Sequence, residues 1–161
     1  MKKNGFTLVE LLMYMGLLGI FLVVLTDILV QTLDTRTQAT AQTFVASDGE
    51  YLRSRLEYDV RRSSAIVAPV STGTPSATLQ LTIGGSTQTF ALQGTNLVVT
   101  TGGNSYTLNT SSTAVSGFQA TRVGNGTGKD TLTLAFTISS IATSHSGAAE
   151  TKAYTFTIGT R

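Results

Sequence analysis

The chain has no cysteine, no tryptophan, two prolines and one histidine among its 161 residues. Without cysteine there is no disulfide, no thiolate zinc site and no thiol nucleophile. His145 stands alone in a polar Ser/Gly loop, and a catalytic base needs an orienting partner that this loop does not offer. Charged residues make up only 12% of the chain, and the late acids Asp130 and Glu150 are isolated in sequence. A calcium site built on several carboxylates is therefore not expected. Glycine-rich stretches at 84–85, 102–103 and 124–128 lack the lysine and the strand-to-helix setting of phosphate loops, so they read as turns. No catalytic residue, cofactor, metal or small-molecule substrate is expected. Formal charge is +2, but Lys2 and Lys3 carry the whole excess, since without the first five residues Lys plus Arg falls from 11 to 9 against 9 acids. Basic residues interleaved with aromatics are absent from the second half, and nothing points to nucleic-acid binding.

What is present concentrates at the start. Lys2-Lys3-Asn4-Gly5-Phe6-Thr7-Leu8-Val9-Glu10 leads into 16 uncharged residues, 11–26, and the apolar character resumes over 28–30. The span opening on Phe6 and closing on Val30 gives 25 residues, about 37 Å of helix, enough to cross a bilayer with tilt. Lys2 and Lys3 would hold its amino end in the cytoplasm. Glu10 lies inside the span at a cost of roughly 2.5–3.5 kcal/mol, which asks for a compensating partner. Cleavage between Gly5 and Phe6 would create one, because the new terminal ammonium could pair with Glu10 of a neighbouring copy. Two other readings compete. A secretory signal peptide has a shorter apolar core, and the one small-residue box, Ala39-Thr40-Ala41, lies well past the run. A plain uncleaved anchor fits the length but has no need of Glu10.

Gly5, Phe6, Thr7, Leu8, Val9 and Glu10, with the basic residues before them and the apolar run after, resemble the type IV pilin and pseudopilin family. The resemblance covers about the first 30 residues and implies a leader of residues 1–5, removed by a prepilin peptidase. It further implies methylation of Phe6 and docking of each subunit into a helical filament through Glu10. Partners would be the peptidase, other pilin subunits and, before assembly, the inner membrane. Some pilins close a C-terminal loop with a disulfide, which this chain cannot form. Asp27 reads as an interfacial charge rather than a lattice contact. Gly16 and Gly19 form a small-x-x-small pair that permits close helix packing or local unwinding. No proline precedes Pro69, so any unwinding would rest on glycine. Tyr14 and Met15 read as packing residues.

Residues 31–65 are polar yet keep a helical rhythm, with Leu33, Ala41, Phe44, Val45, Leu52, Leu56 and Val60 drawing one apolar stripe. Glu50 with Arg53, and Glu57 with Arg61, stand at ion-pair spacings, while Gly49 costs about 1 kcal/mol relative to Ala. Pro69 forbids helix at Ala68, so one helix is expected over about 6–64. The period then becomes two. Leu79, Leu81 and Ile83 alternate with polar residues, as do Phe90 and Leu92, Tyr106 and Leu108, Leu132 through Ile138, and Tyr154 through Ile158. A short strand is expected from Phe118 to Val123, and a polar loop over 139–150.

The expected fold is α+β. A long N-terminal helical spine, apolar over 6–30 and amphipathic over 31–65, packs on one antiparallel sheet formed from an extracytoplasmic β domain, 66–161. Abundant Thr, Ser and Gly suit an extracellular β domain. Asn109-Thr110-Ser111 and Asn125-Gly126-Thr127 satisfy a glycosylation pattern that chance readily supplies in so Thr- and Ser-rich a chain. Within the family, the helix end at 56–66 and a terminal hairpin closing in Arg161 resemble minor pilins and the J- and W-like pseudopilins. The leading expectation is a structural filament subunit on the bacterial cytoplasmic membrane, carboxy-terminal domain outside, later in a surface or periplasmic filament. The alternative is a membrane-anchored binding module, an adhesin or DNA-uptake protein, using exposed loops at 139–150 or 124–130. A membrane-anchored enzyme finds no residues to support it.

Overall fold

A computed structural model describes residues 7–124, 130–143 and 147–160. Helix α1 (Leu8–Arg62) runs unbroken for 55 residues. Its start is set by Thr7, whose hydroxyl accepts the Glu10 N–H at 3.3 Å while its carbonyl accepts the Leu11 N–H at 3.1 Å. Glu10 occupies the first turn and Arg61 and Arg62 the last, both favourable with the helix dipole. The helix ends where the Ser63 N–H and hydroxyl turn back to the Val60 carbonyl, at 3.2 and 2.7 Å. Ser64 then donates to the Thr82 carbonyl and enters the first strand.

By contacts the chain divides between Thr37 and Gln38 into two compact units. In the first, the described residues are helical from Leu8 onward and every one of them is exposed or, at Asp34, partly so. Its threonines are satisfied within the helix: Thr26, Thr32, Thr35 and Thr37 each donate to the carbonyl four residues earlier, at 2.8–3.0 Å.

Among its described residues the second unit holds the rest of α1 and nine strands. One sheet has the order β1 (Ala65–Ala68), β3 (Thr78–Ile83), β4 (Ser86–Gln93), β5 (Asn96–Thr101), β6 (Asn104–Thr107). The other has β2 (Pro75–Ser76), β7 (Thr113–Val123), β8 (Thr131–Thr143), β9 (Ala149–Gly159). All ladder pairings are antiparallel. A single core joins Val45, Leu52, Leu56 and Val60 of the helix to Leu79, Leu81 and Phe90 of the first sheet and Phe118, Leu134 and Phe136 of the second. At about 25 cal/mol per Å², burying these apolar side chains is the main stabilising term.

Three expectations need correction. The β residues form two sheets, because alternation fixes which face a side chain takes and not which strand lies beside it. β7 begins at Thr113 rather than Phe118. A register shift between Ser116 and Gln119, with Gly117 at φ 62°, lets both Val115 and Phe118 point inward three residues apart. That bulge hides the strand from a period-two search. The helical stripe is also narrower than expected: Leu33 is 54% and Phe44 43% exposed. The buried face is Ala41, Val45, Asp48, Gly49, Leu52, Leu56, Asp59 and Val60, and Phe44, one residue before Val45, lies 100° around the helix.

Gly49 also changes meaning. A Cβ there would overlap the Tyr154 ring. Its missing side chain makes room for Tyr154, which stacks on Phe136 at 5.2 Å between centroids.

Candidate functional site

The site indicated by the sequence is the amino-terminal part of α1. Lys2, Lys3, Gly5 and Phe6 lie outside the described residues, whereas Glu10 and Val30 are described and exposed. Beyond its place in the motif, Thr7-Leu8-Val9-Glu10 is the sequence pattern of a helix start, a hydroxyl followed three residues later by Glu. Placing Glu10 in the first turn has an electrostatic consequence. The helix dipole favours an anion there by typically 0.3–1 kcal/mol, against roughly 2.5–3.5 kcal/mol for a carboxylate in the bilayer. The dipole does not close the gap.

Around Glu10 the surface is apolar. A shallow groove is lined by Glu10, Met13, Tyr14, Gly16, Leu17 and Ile20. A Cβ at Gly16 or Gly19 would meet nothing within 4 Å, so no packing within the described chain calls for glycine there, while each costs the helix about 1 kcal/mol. α1 is long and apolar enough to cross a membrane. Its most apolar 18-residue stretch has mean hydropathy 2.5, and none of it is buried. Asp27 is exposed on the same helix.

The second unit holds polar groups that pin loops to the helix. Asp48 is buried and accepts from the Thr113 hydroxyl (2.6 Å), the Thr110 hydroxyl (2.7 Å) and the Thr110 N–H (3.0 Å). Burial pushes its pKa up, and the three donors, led by Thr113, outweigh this and hold the carboxyl below the usual aspartate range. Asn109 is buried beside it. Its carbonyl oxygen accepts the Leu97 N–H at 2.9 Å, and its amide donates to Thr113 O at 2.8 Å and to Asn96 Oδ1 and Thr110 O at 3.2 Å. A side chain so enclosed is closed to glycosylation; Asn125 lies outside the described residues. Asp59, also fully buried, pairs with Arg55 at 2.7 Å and lies 3.9 Å from Arg62. The expected Glu50–Arg53 and Glu57–Arg61 pairs are present at 3.7 and 2.8 Å.

Asp130 and Glu150 are not isolated in space. Asp130 pairs with Arg122, and Glu150 accepts from Gln38 and Gln42 of the helix at 3.0 and 3.3 Å. Among the described residues no group of three or more His, Cys, Asp or Glu is placed to hold a metal. His145 lies outside them, as do 125–129 and 144–146 of the two segments named for the binding reading; the expected loop over 139–150 is shorter than that, because β8 runs on to Thr143 and β9 begins at Ala149.

Residues 1–26 match the family profile of the prokaryotic N-terminal methylation motif. That motif supports the resemblance of the amino terminus to the type IV pilin and pseudopilin family. No curated protein and no solved structure matches the chain. The pilin motif and the uncovered apolar helix together mark a processed, pilin-like subunit, a substrate for prepilin peptidase that is anchored in the membrane and later assembled with other pilins. The α+β fold, a long helix packed on antiparallel sheets, is pilin-like as well.

Proposed function

We propose that the protein is a minor pilin or pseudopilin, a structural and non-enzymatic subunit of a type IV pilus or type II secretion-like filament. Prepilin peptidase cuts after Gly5, residues 1–5 are lost, and the new terminal Phe6 is N-methylated. Residues 6–30 span the cytoplasmic membrane once, amino end inside, and then enter the filament core. Residues 31–65 carry the β domain, 66–161, on the outer side. In the core, the Phe6 ammonium of one subunit and Glu10 of its neighbour neutralise each other. Removing one partner of a buried pair costs about 3–5 kcal/mol, which makes that contact a check on correct docking.

The observation that carries this reading is the coincidence of the methylation motif with a helix that leaves its apolar side chains uncovered. Replacing Gly5 with leucine tests it. The reading expects the leader to be retained and filament incorporation lost. A variant that matures and assembles like the wild type would overturn it.

A further inference from the structure

Thr7 is exposed, yet its hydroxyl is engaged. Threonines further along α1 donate backwards, each to the carbonyl four residues earlier. Thr26, Thr32, Thr35, Thr37 and Thr43 do so at 2.8–3.0 Å. Thr7 does the reverse. Standing just before the first helical residue, Leu8, it accepts the Glu10 N–H on Oγ1 at 3.3 Å. Its carbonyl accepts the Leu11 N–H at 3.1 Å, where the helical ladder opens. In a helix begun further upstream, the Glu10 N–H would bond the Phe6 carbonyl and the Val9 N–H the Gly5 carbonyl. By taking the Glu10 N–H, the Thr7 hydroxyl removes the first of those bonds. Little else in the sequence stops the helix there, since Gly5 alone among residues 2–6 is a markedly poor helix former.

We propose that Thr7 is a positioning residue for prepilin peptidase, fixing the start of α1 two residues beyond the bond to be cut. This role rests on the reading that cleavage falls between Gly5 and Phe6. Hydrolysis there adds water to the Gly5 carbonyl carbon and breaks the C–N bond. The Phe6 nitrogen leaves with a proton as an amine, and Gly5 becomes a carboxylate. A helix running through this bond would tie up the Gly5 carbonyl and coil the peptide against its own side chains. A bond kept outside the ladder presents its carbonyl to a peptidase. Thr7 touches none of the reacting atoms and acts through the place where α1 begins. Glu10 completes the hydroxyl-x-x-Glu pattern of a capped start.

Capping strength and side-chain shape rank substitutions at Thr7 differently, which separates this role from a direct contact with the peptidase. Valine keeps the shape of threonine and lacks the acceptor oxygen. Serine and asparagine change the shape and cap at least as well. The full-length chain is cut by purified prepilin peptidase in detergent, and loss of residues 1–5 is followed by mass. Thr7→Val should lower kcat/KM about fivefold, the factor equivalent to a cap of about 1 kcal/mol. Thr7→Ser and Thr7→Asn should be cut at least as fast as the wild type. As a second measurement, backbone carbon-13 shifts of Gly5 and Phe6 in the uncut chain should move toward helical values in Thr7→Val alone. Unchanged shifts in that variant, its cleavage at the wild-type rate, or an asparagine variant as slow as the valine one would each overturn the role of Thr7 and leave the filament reading standing. A wild-type chain that the peptidase does not cut after Gly5 would overturn both.

Discussion

Residues 8–37 and residues 38–160 treat the same side chain in opposite ways. Leu17 and Leu18 are 67% and 58% exposed, whereas Leu52 and Leu56, on the same helix, are fully buried. Burying a leucine side chain is worth about 1.5–3 kcal/mol, and the first region gains none of this from its own chain. Its apolar surface makes sense only if lipid, and later other subunits, supply the cover. The second region is self-sufficient: two sheets and one helix share a core, and buried Asp48 and Asn109 find their partners within it. One helix therefore has an uncovered part and a covered part, and by contacts the chain divides between Thr37 and Gln38.

Identical substitutions in the two regions should break that comparison if it is wrong. Leu56→Ala should lower unfolding stability by about 2–5 kcal/mol, while Leu18→Ala should change it by less than about 0.5 kcal/mol. Denaturant melts of the full chain in detergent, followed by a probe of β structure, measure both. Equal losses would mean that the first region is packed after all. Next in size is Asp48→Ala, which strips the acceptor from three donors and should cost about 2–3 kcal/mol. The same group gives a pH signature. Its folded-state pKa is below the ordinary aspartate value of about 3.9, so its stabilisation is complete above that value and is lost as pH falls through the lowered one. Thermal midpoints of wild type and Asp48→Asn should stay separated above about pH 4, begin to approach each other below it, and meet only below the lowered folded-state value. Gly49→Ala should follow at about 1–3 kcal/mol of overpacking, the reverse of the gain expected from helix propensity. The smallest effect belongs to Glu57→Ala, a few tenths of a kcal/mol for an exposed i,i+4 pair.

The helix and the hairpins were legible because their signals are local. Leu79, Leu81 and Ile83 announce a face at every second residue, and Thr7 to Glu10 announce a helix start. The number of sheets was not legible, since it depends on which strands become neighbours, and β7 was masked by a bulge at Gly117 that breaks its alternation. Gly49 misled for a related reason. Its local cost is visible in the sequence, while its use, admitting Tyr154 from a strand about a hundred residues away, is a tertiary fact. Asp48 and Asn109 gave no sign either, because the donors and acceptors they meet come from distant turns. The Gly5–Glu10 motif was legible as a linear pattern, and the family profile over residues 1–26 matches it.

The most direct test of the account is the intact mass of the protein recovered from its native membrane or filament. The account predicts the full chain less residues 1–5, with one added methyl group on the amine of Phe6. A mass that retains Lys2 and Lys3, or one that lacks the methyl group, would contradict it.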